Sequence, residues 1–230
     1  MTETFCTQIS VIGPALWVAL LAFFVMAVDI VVPKRNTLLQ AVSLLGLGTI
    51  FASSLCQSCC VVPTTGFFGM LSRDAFTGFF DLLFIAIAFL SIAMSGPYYE
   101  KTGIKLPETL SLKLLATVGA MLMVNTNDLI VLFVALELMS ISLYALAGML
   151  YERPKSNEAA MKYFLLGAFS TGFFLYGIAL LYGTTGSTNY QEISSWIVKQ
   201  NGQFGSLFWA GIGLLLIGFF FKTASVPFHF

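Results

Sequence analysis

The chain has 230 residues, of which 58% are hydrophobic and only 10% are charged. In soluble proteins roughly a quarter of all residues are charged. Its mean hydropathy is +0.89. A soluble protein of this size could not bury so much apolar surface, so the composition predicts a membrane protein. The net charge is zero, with 11 basic and 11 acidic residues, which excludes a basic surface for nucleic acids. One histidine and four cysteines leave few ligands for a metal enzyme.

Seven hydrophobic segments are long enough to cross a bilayer, which takes about 20 mostly apolar residues. They lie at residues 9–32, 38–58, 76–97, 107–125, 128–150, 159–182 and 206–226. We therefore predict an all-α membrane protein with seven transmembrane helices. The polar run from Asn125 to Asp128 divides the fourth helix from the fifth, because its residue types favour turns and helix N-caps over helix interiors.

The basic residues are distributed unevenly between the loops and predict the orientation. Six follow the first, third and fifth segments: Lys34, Arg35, Lys101, Lys105, Arg153 and Lys155. The loops after the second and sixth segments hold only Arg73 and Lys199. By the positive-inside rule the N-terminus lies outside. Between the last two segments, residues 191–199 predict a short interfacial helix with Trp196 as its anchor.

An acidic residue, Glu137, lies near the middle of the fifth predicted helix. A carboxyl group at the bilayer centre costs about 2.5–3.5 kcal/mol on insertion scales, so it should face protein or water and is usually functional. Ser140 at i+3 and Tyr144 at i+7 share its helix face and extend it into a polar seam. The alternative is a protonated glutamic acid that only holds helices together.

A lysine, Lys222, follows the apolar run at residues 214–221, and the segment after it stays mostly apolar. Ser225 at i+3 and His229 at i+7 share its face, and Pro227 cannot continue the backbone hydrogen bonds of a helix. A broken helix beside a buried charge is typical of the ion sites of transporters. A lysine that snorkels from a helix end is the alternative.

Three further charges lie in or near the predicted helices. Lys162 is about one turn inside the sixth helix and four residues after Glu158, so an ion pair explains it as well as a function does. Asp29 and Asp81 lie near the ends of the first and third segments, which predicts interfacial positions.

A cysteine cluster lies near the outer end of the second segment, formed by Cys56, Cys59 and Cys60. The single histidine gives no second half to a zinc site. Burial as small hydrophobic side chains is the expected state, and a disulfide on an oxidising face is the alternative.

Three motifs resemble the antiporter-like membrane subunits of respiratory complex I. Residues 127–129 with 133–140, Phe-Val-Ala-Leu-Glu-Leu-Met-Ser, are similar to the fifth helix of these subunits. Residues 156–168 are similar to the start of the sixth helix, and residues 218–229 to the broken seventh helix. The Asn-Glu-Ala-Ala-Met-Lys-Tyr-Phe run and residues 181–186 resemble the subunit N branch, which is subunit 2 in mitochondria.

The resemblance implies a proton channel in which Glu137 and Lys222 form a coupled pair, with Lys162 as a further member and His229 beside the broken helix. It divides the chain into three N-terminal helices, residues 1–106, and a proton-channel repeat, residues 107–230. Members of the family continue with an inverted second repeat. We therefore expect either a second chain that carries the other half or a longer parent protein.

The resemblance also implies the cofactors, partners and membrane of the protein. As a subunit of NADH:quinone oxidoreductase the chain would hold no cofactor, and NADH, FMN, iron–sulfur clusters and quinone would bind to partner subunits. Its partners would be other membrane-arm subunits, including a neighbouring antiporter-like subunit, and lipids, in a mitochondrial inner or bacterial plasma membrane. A stand-alone cation/proton antiporter and a purely structural membrane subunit remain the alternatives.

Overall fold

Helices make up most of the part of the chain that the computed structural model describes, which is residues 2–31, 36–58, 63–102 and 106–226. In chain order the helices are α1 (Thr2–Val31), α2 (Asn36–Ser58), α3 (Ala75–Thr102), α4 (Leu106–Asn125), α5 (Leu129–Ala147), α6 (Pro154–Thr185), α7 (Tyr190–Lys199) and α8 (Ser206–Lys222). All predicted helices are thus present, and the short helix expected at residues 191–199 is α7.

Within the described residues, six helices, α1 to α6, are long and apolar enough to cross a membrane. The prediction of a multi-pass membrane protein is therefore confirmed. The seventh predicted span corresponds to α8, which is apolar but has only 17 residues. At a rise of 1.5 Å per residue it is about 26 Å long, slightly less than the roughly 30 Å of a hydrocarbon core.

A β-hairpin precedes α3 and was not predicted, because strands of three residues are too short to produce a recognisable alternation of polar and apolar residues. Its strands are β1 (Thr64–Gly66) and β2 (Leu71–Arg73), paired antiparallel. The backbone N–H of Asn127 donates to the carbonyl oxygen of Met70 at 2.7 Å. The hairpin therefore covers the junction between α4 and α5.

The predicted division between the fourth and fifth helices is confirmed, since α4 ends at Asn125 and α5 begins after Asp128. Asp128 is the N-cap of α5, and its Oδ1 accepts from the backbone N–H groups of Ile130, at 2.8 Å, and Val131, at 3.4 Å. Its Oδ2 accepts a hydrogen bond of 2.7 Å from the Thr188 hydroxyl. The Asp128 carboxylate thus caps the N-terminus of α5 and also links α5 to the segment that follows α6 by a hydrogen bond.

Two clusters of buried apolar side chains hold the helices together. The first lies between α1, α2, α3 and α4 and includes Val18, Val25, Leu39, Leu47, Ile85, Ile92, Leu114 and Met121. The second lies between α5, α6 and α8 and includes Leu129, Phe174, Ile178, Leu181, Phe208 and Leu215. The second cluster is the support for the site described below.

Glycines bring α6 and α8 into direct backbone contact. A Cβ added at Gly177 would lie 2.8 Å from the backbone nitrogen of Leu215 and 2.9 Å from the carbonyl oxygen of Gly211. A Cβ added at Gly218 would lie 2.7 Å from the Cβ of Phe174. Small residues let membrane helices approach closely, so α6 and α8 form a tightly joined pair.

Two predicted placements are wrong. Asp81 is not a solvent-facing carboxylate at the membrane interface: it is 1% exposed and packs between α3 and the end of α4. Cys56 is exposed rather than buried, because it lies on the outer side of the last turn of α2. Cys59 and Cys60 fall outside the described residues.

Candidate functional site

Glu137 joins three helices. Its side chain, on α5, is 21% exposed, and Oε1 accepts a hydrogen bond of 2.7 Å from the hydroxyl of Thr171 on α6. The same oxygen lies 3.5 Å from Nζ of Lys222, the last residue of α8. The carboxylate therefore faces protein and forms an ion pair inside the helical assembly.

The ammonium group of Lys222 binds the predicted polar seam of α5. Its Nζ donates to Ser140 Oγ at 2.8 Å and to Tyr144 Oη at 3.1 Å, in addition to its contact with Glu137. An ammonium has three N–H donors, and the three acceptors stand one above another on a single helix face. With its side chain 17% exposed, Lys222 points into protein.

Tyr144 is held in position by α6. Its side chain is 7% exposed, and its ring packs edge to face against Tyr163 and Phe164, with centroid distances of 4.6 and 6.0 Å. A Cβ added at Gly167 would collide with the Tyr144 hydroxyl. The glycine thus leaves the space in which this hydroxyl reaches Lys222.

The position of Lys222 is set by the motif that ends α8. The backbone N–H of Ser225 donates to the carbonyl oxygen of Phe220 at 2.9 Å, and Ala224 has a φ of +50°. This is a Schellman motif with alanine where glycine is usual, at a cost of about 1–2 kcal/mol for the left-handed conformation. The helix therefore ends at Lys222, earlier than the predicted residue 226, and it ends before Pro227 is reached.

Lys162 lies apart from this pair. It forms an ion pair with Glu158 one turn earlier on α6, and the two side chains are 70% and 62% exposed. The i,i+4 pairing that the spacing predicts is thus present, and the Lys162 charge is exposed and paired with Glu158.

The remaining predicted residues follow α8. The hydroxyl of Ser225 shares a hydrogen bond of 2.8 Å with that of Thr223 and makes no contact with the Lys222 ammonium. Pro227 and His229 fall outside the described residues.

Thr171 was missed by the sequence analysis. The hydroxyl of a threonine in an apolar helix usually donates to a backbone carbonyl oxygen of the preceding turn. The Oγ1 of Thr171 does lie 2.9 Å from the carbonyl oxygen of Gly167. Its hydroxyl has one hydrogen to donate, and the bond to the Glu137 carboxylate is shorter and charge-assisted. The only sequence signal is the pair of hydroxyl residues, Ser170 and Thr171, in the middle of an apolar helix.

No group of three or more His, Cys, Asp or Glu side chains that is suited to hold a metal ion occurs among residues 2–31, 36–58, 63–102 and 106–226. The described side chains at the site supply a carboxylate, an ammonium and three hydroxyl groups, which together can hold and transfer protons.

Similarities to a protein family, to known proteins and to solved structures identify relatives of the chain. Residues 126–230 match the family described as NADH:quinone oxidoreductase/Mrp antiporter, transmembrane. NADH-quinone oxidoreductase subunit N of Trichlorobacter lovleyi is 40% identical over 224 residues, which are 96% of this chain and 45% of that protein. A chain of respiratory complex I from Thermus thermophilus has a TM-score of 0.73 and 33% identity, with coverage of 94% of this chain and 45% of the other.

A chain of the Mrp complex from Dietzia shares the fold alone, with a TM-score of 0.74 at 22% identity and coverage of 95% of this chain and 42% of the other. The present chain spans less than half the length of the relatives it matches. Over that length the sequence is similar to that of subunit N, and residues 126–230 match the transmembrane domain of the NADH:quinone oxidoreductase/Mrp antiporter family.

Proposed function

We propose that the chain forms part of a proton-translocating membrane subunit of an NADH:quinone oxidoreductase complex, with Glu137 and Lys222 as its proton-transfer pair. The observation that carries this proposal is the contact between the Lys222 ammonium, at the C-terminal end of α8, and a carboxylate and two hydroxyl groups on one face of α5. A structural role alone requires no such set of proton donors and acceptors.

The pair can move a proton because each charge depends on the other. While Glu137 is ionised, its carboxylate stabilises the Lys222 ammonium at 3.5 Å. If Glu137 accepts a proton or moves away, the ammonium remains in a largely desolvated site without a counter-charge, which is costly. It then releases a proton through Ser140 or Tyr144 to the next acceptor along the membrane plane, since a hydroxyl oxygen can accept one hydrogen while it donates its own.

The orientation and the assembly belong to the same proposal. We propose seven spans with α8 as the seventh, the N-terminus outside, and a division into residues 1–106 and a first inverted repeat at 107–230. The remaining repeat, the electron-transfer cofactors and a neighbouring antiporter-like subunit would lie in other parts of the complex. Lys162, which is exposed in this chain, would meet the next charge along the membrane plane.

A cation/proton antiporter is the second candidate, because the matched family includes Mrp antiporters and the fold is shared with an Mrp complex. The sequence favours the first candidate. Identity is 40% with a subunit N and 33% with a complex I chain, against 22% with the Mrp chain.

Affinity purification of the tagged chain from its native membrane tests the proposal. We expect NADH:quinone oxidoreductase activity to co-purify, and NADH to drive proton uptake when the complex is reconstituted into vesicles. An antiporter would instead purify without this activity and exchange sodium or potassium for protons along an imposed gradient.

We expect Thr171→Val to lower NADH-driven proton translocation by roughly tenfold, since a hydrogen bond to a charged group contributes about 1.5–3 kcal/mol. Valine keeps the shape of the side chain but cannot donate to Glu137. Thr171→Ser keeps the donor and should retain most of the translocation, measured as proton uptake by vesicles per assembled complex.

Thr184→Val is the matched control, because the Thr184 hydroxyl donates only to backbone carbonyl oxygens of α6. Equal losses in the two valine variants would mean that Thr171 acts on the helix and not on Glu137.

A further inference from the structure

A buried acidic group with an unpartnered oxygen lies outside the site described above. Asp81 on α3 and Asn125 at the end of α4 are each 1% exposed. Asn125 Nδ2 donates to Asp81 Oδ1 over a long distance of 3.5 Å. Within the described part of the chain, Asp81 Oδ2 and Asn125 Oδ1 are buried and have no hydrogen-bond partner.

Asp81 and Asn125 together lack a hydrogen-bond donor for the two unpartnered oxygens, Asp81 Oδ2 and Asn125 Oδ1. An ionised carboxylate offers no hydrogen, and the carboxamide offers hydrogens only from Nδ2. Turning the carboxamide around does not help, because it would bring its oxygen, another acceptor, towards Asp81 Oδ1. A single added hydrogen on Asp81 would supply the missing donor and would also remove a buried charge.

We propose that Asp81 and Asn125 form a proton-binding site at the junction of α3 and α4, in which Asp81 holds one proton and shares it with the Asn125 carboxamide. A protonated carboxyl group and a carboxamide are complementary, since each then has one donor and one acceptor for the other. The site is separate from Glu137 and Lys222 and does not depend on the function proposed for them.

Arg73 on β2 is the charged group that faces this site. It is 7% exposed and interacts electrostatically with Asp81, and its Nη1 lies 3.2 Å from the position of a Cβ added at Gly13 of α1. The guanidinium stabilises the ionised carboxylate, so Asp81 is able to release its proton as well as hold it.

Infrared spectroscopy of the assembled complex tests the inference, because the C=O stretch of a protonated carboxyl group is distinct from carboxylate bands. At neutral pH we expect one such band that shifts in D₂O, disappears in Asp81→Asn and persists in Asp29→Asn, the matched control. In Asn125→Leu the band should move to higher frequency, because the Asp81 carbonyl loses its donor.

Identical carboxyl spectra for the parent and Asp81→Asn would overturn the inference, and would point to an ionised Asp81 bridged by water. Loss of the band on exchange of potassium for sodium would identify a sodium site instead. Asp81→Asn imitates a neutral Asp81, so we expect it to assemble; its failure to assemble while Asp29→Asn succeeds would also count against the proton.

Discussion

Replacing Lys222 with arginine is expected to reduce proton translocation by roughly 100-fold or more, the range in which positioned proton-transfer groups contribute. A guanidinium stays protonated in proteins and cannot pass its proton on. Its planar fork also cannot place one nitrogen within reach of Ser140, Tyr144 and Glu137 together, as Nζ is at 2.8, 3.1 and 3.5 Å. Lys222→Met should have the same effect.

Proton uptake per electron in vesicles, normalised to the assembled complex, is the measurement for these variants. Lys199→Arg, at the exposed end of α7, is the matched control and should be silent. If Lys222→Arg translocates protons like the parent, Lys222 only anchors the end of α8 through a long cationic side chain.

Glu137→Ala should abolish proton translocation, and Glu137→Gln should come close to doing so while the complex still assembles. Glutamine keeps the shape of the side chain and can accept from Thr171, but it removes the charge that supports the ammonium at 3.5 Å. Glu137→Asp keeps the charge on a shorter side chain, so part of the translocation should remain.

Assembly, measured by native electrophoresis, and proton uptake should therefore respond differently to Glu137→Gln. A purely structural carboxyl group predicts the opposite result, namely loss of assembly with normal uptake in the complexes that form. Glu192→Gln on the exposed face of α7 is the control and should change neither quantity.

The seam on α5 was predictable because it lies within one helix. The spacing of Glu137, Ser140 and Tyr144 fixes their common face once the helix is recognised. The structure adds the partners from other helices: Lys222 reaches all three side chains, and Thr171 reaches the carboxylate. Spacing within a helix carries no information about which residue of another helix stands opposite.

The misses have specific physical causes. The early end of α8 depends on Ala224 in a left-handed conformation, which alanine does not indicate in a sequence. The position of Asp81 near the start of α3 predicts an exposed carboxylate at the interface, and only the packing of α4 and the hairpin around it makes it buried. For Asp81, tertiary contacts overrode a local preference.

The glycine contacts between α6 and α8 have a mechanical consequence. Because the backbones touch at Gly177, Gly211 and Gly218, a sliding of one helix along the other would drive side chains into backbone, and the two move as a single rigid body. Lys222 is fixed to that body, whereas Glu137 belongs to α5. A backbone motion that separates the two charges would therefore displace α5 against the α6–α8 pair, and α5 is the helix through which an external force would act on the two residues.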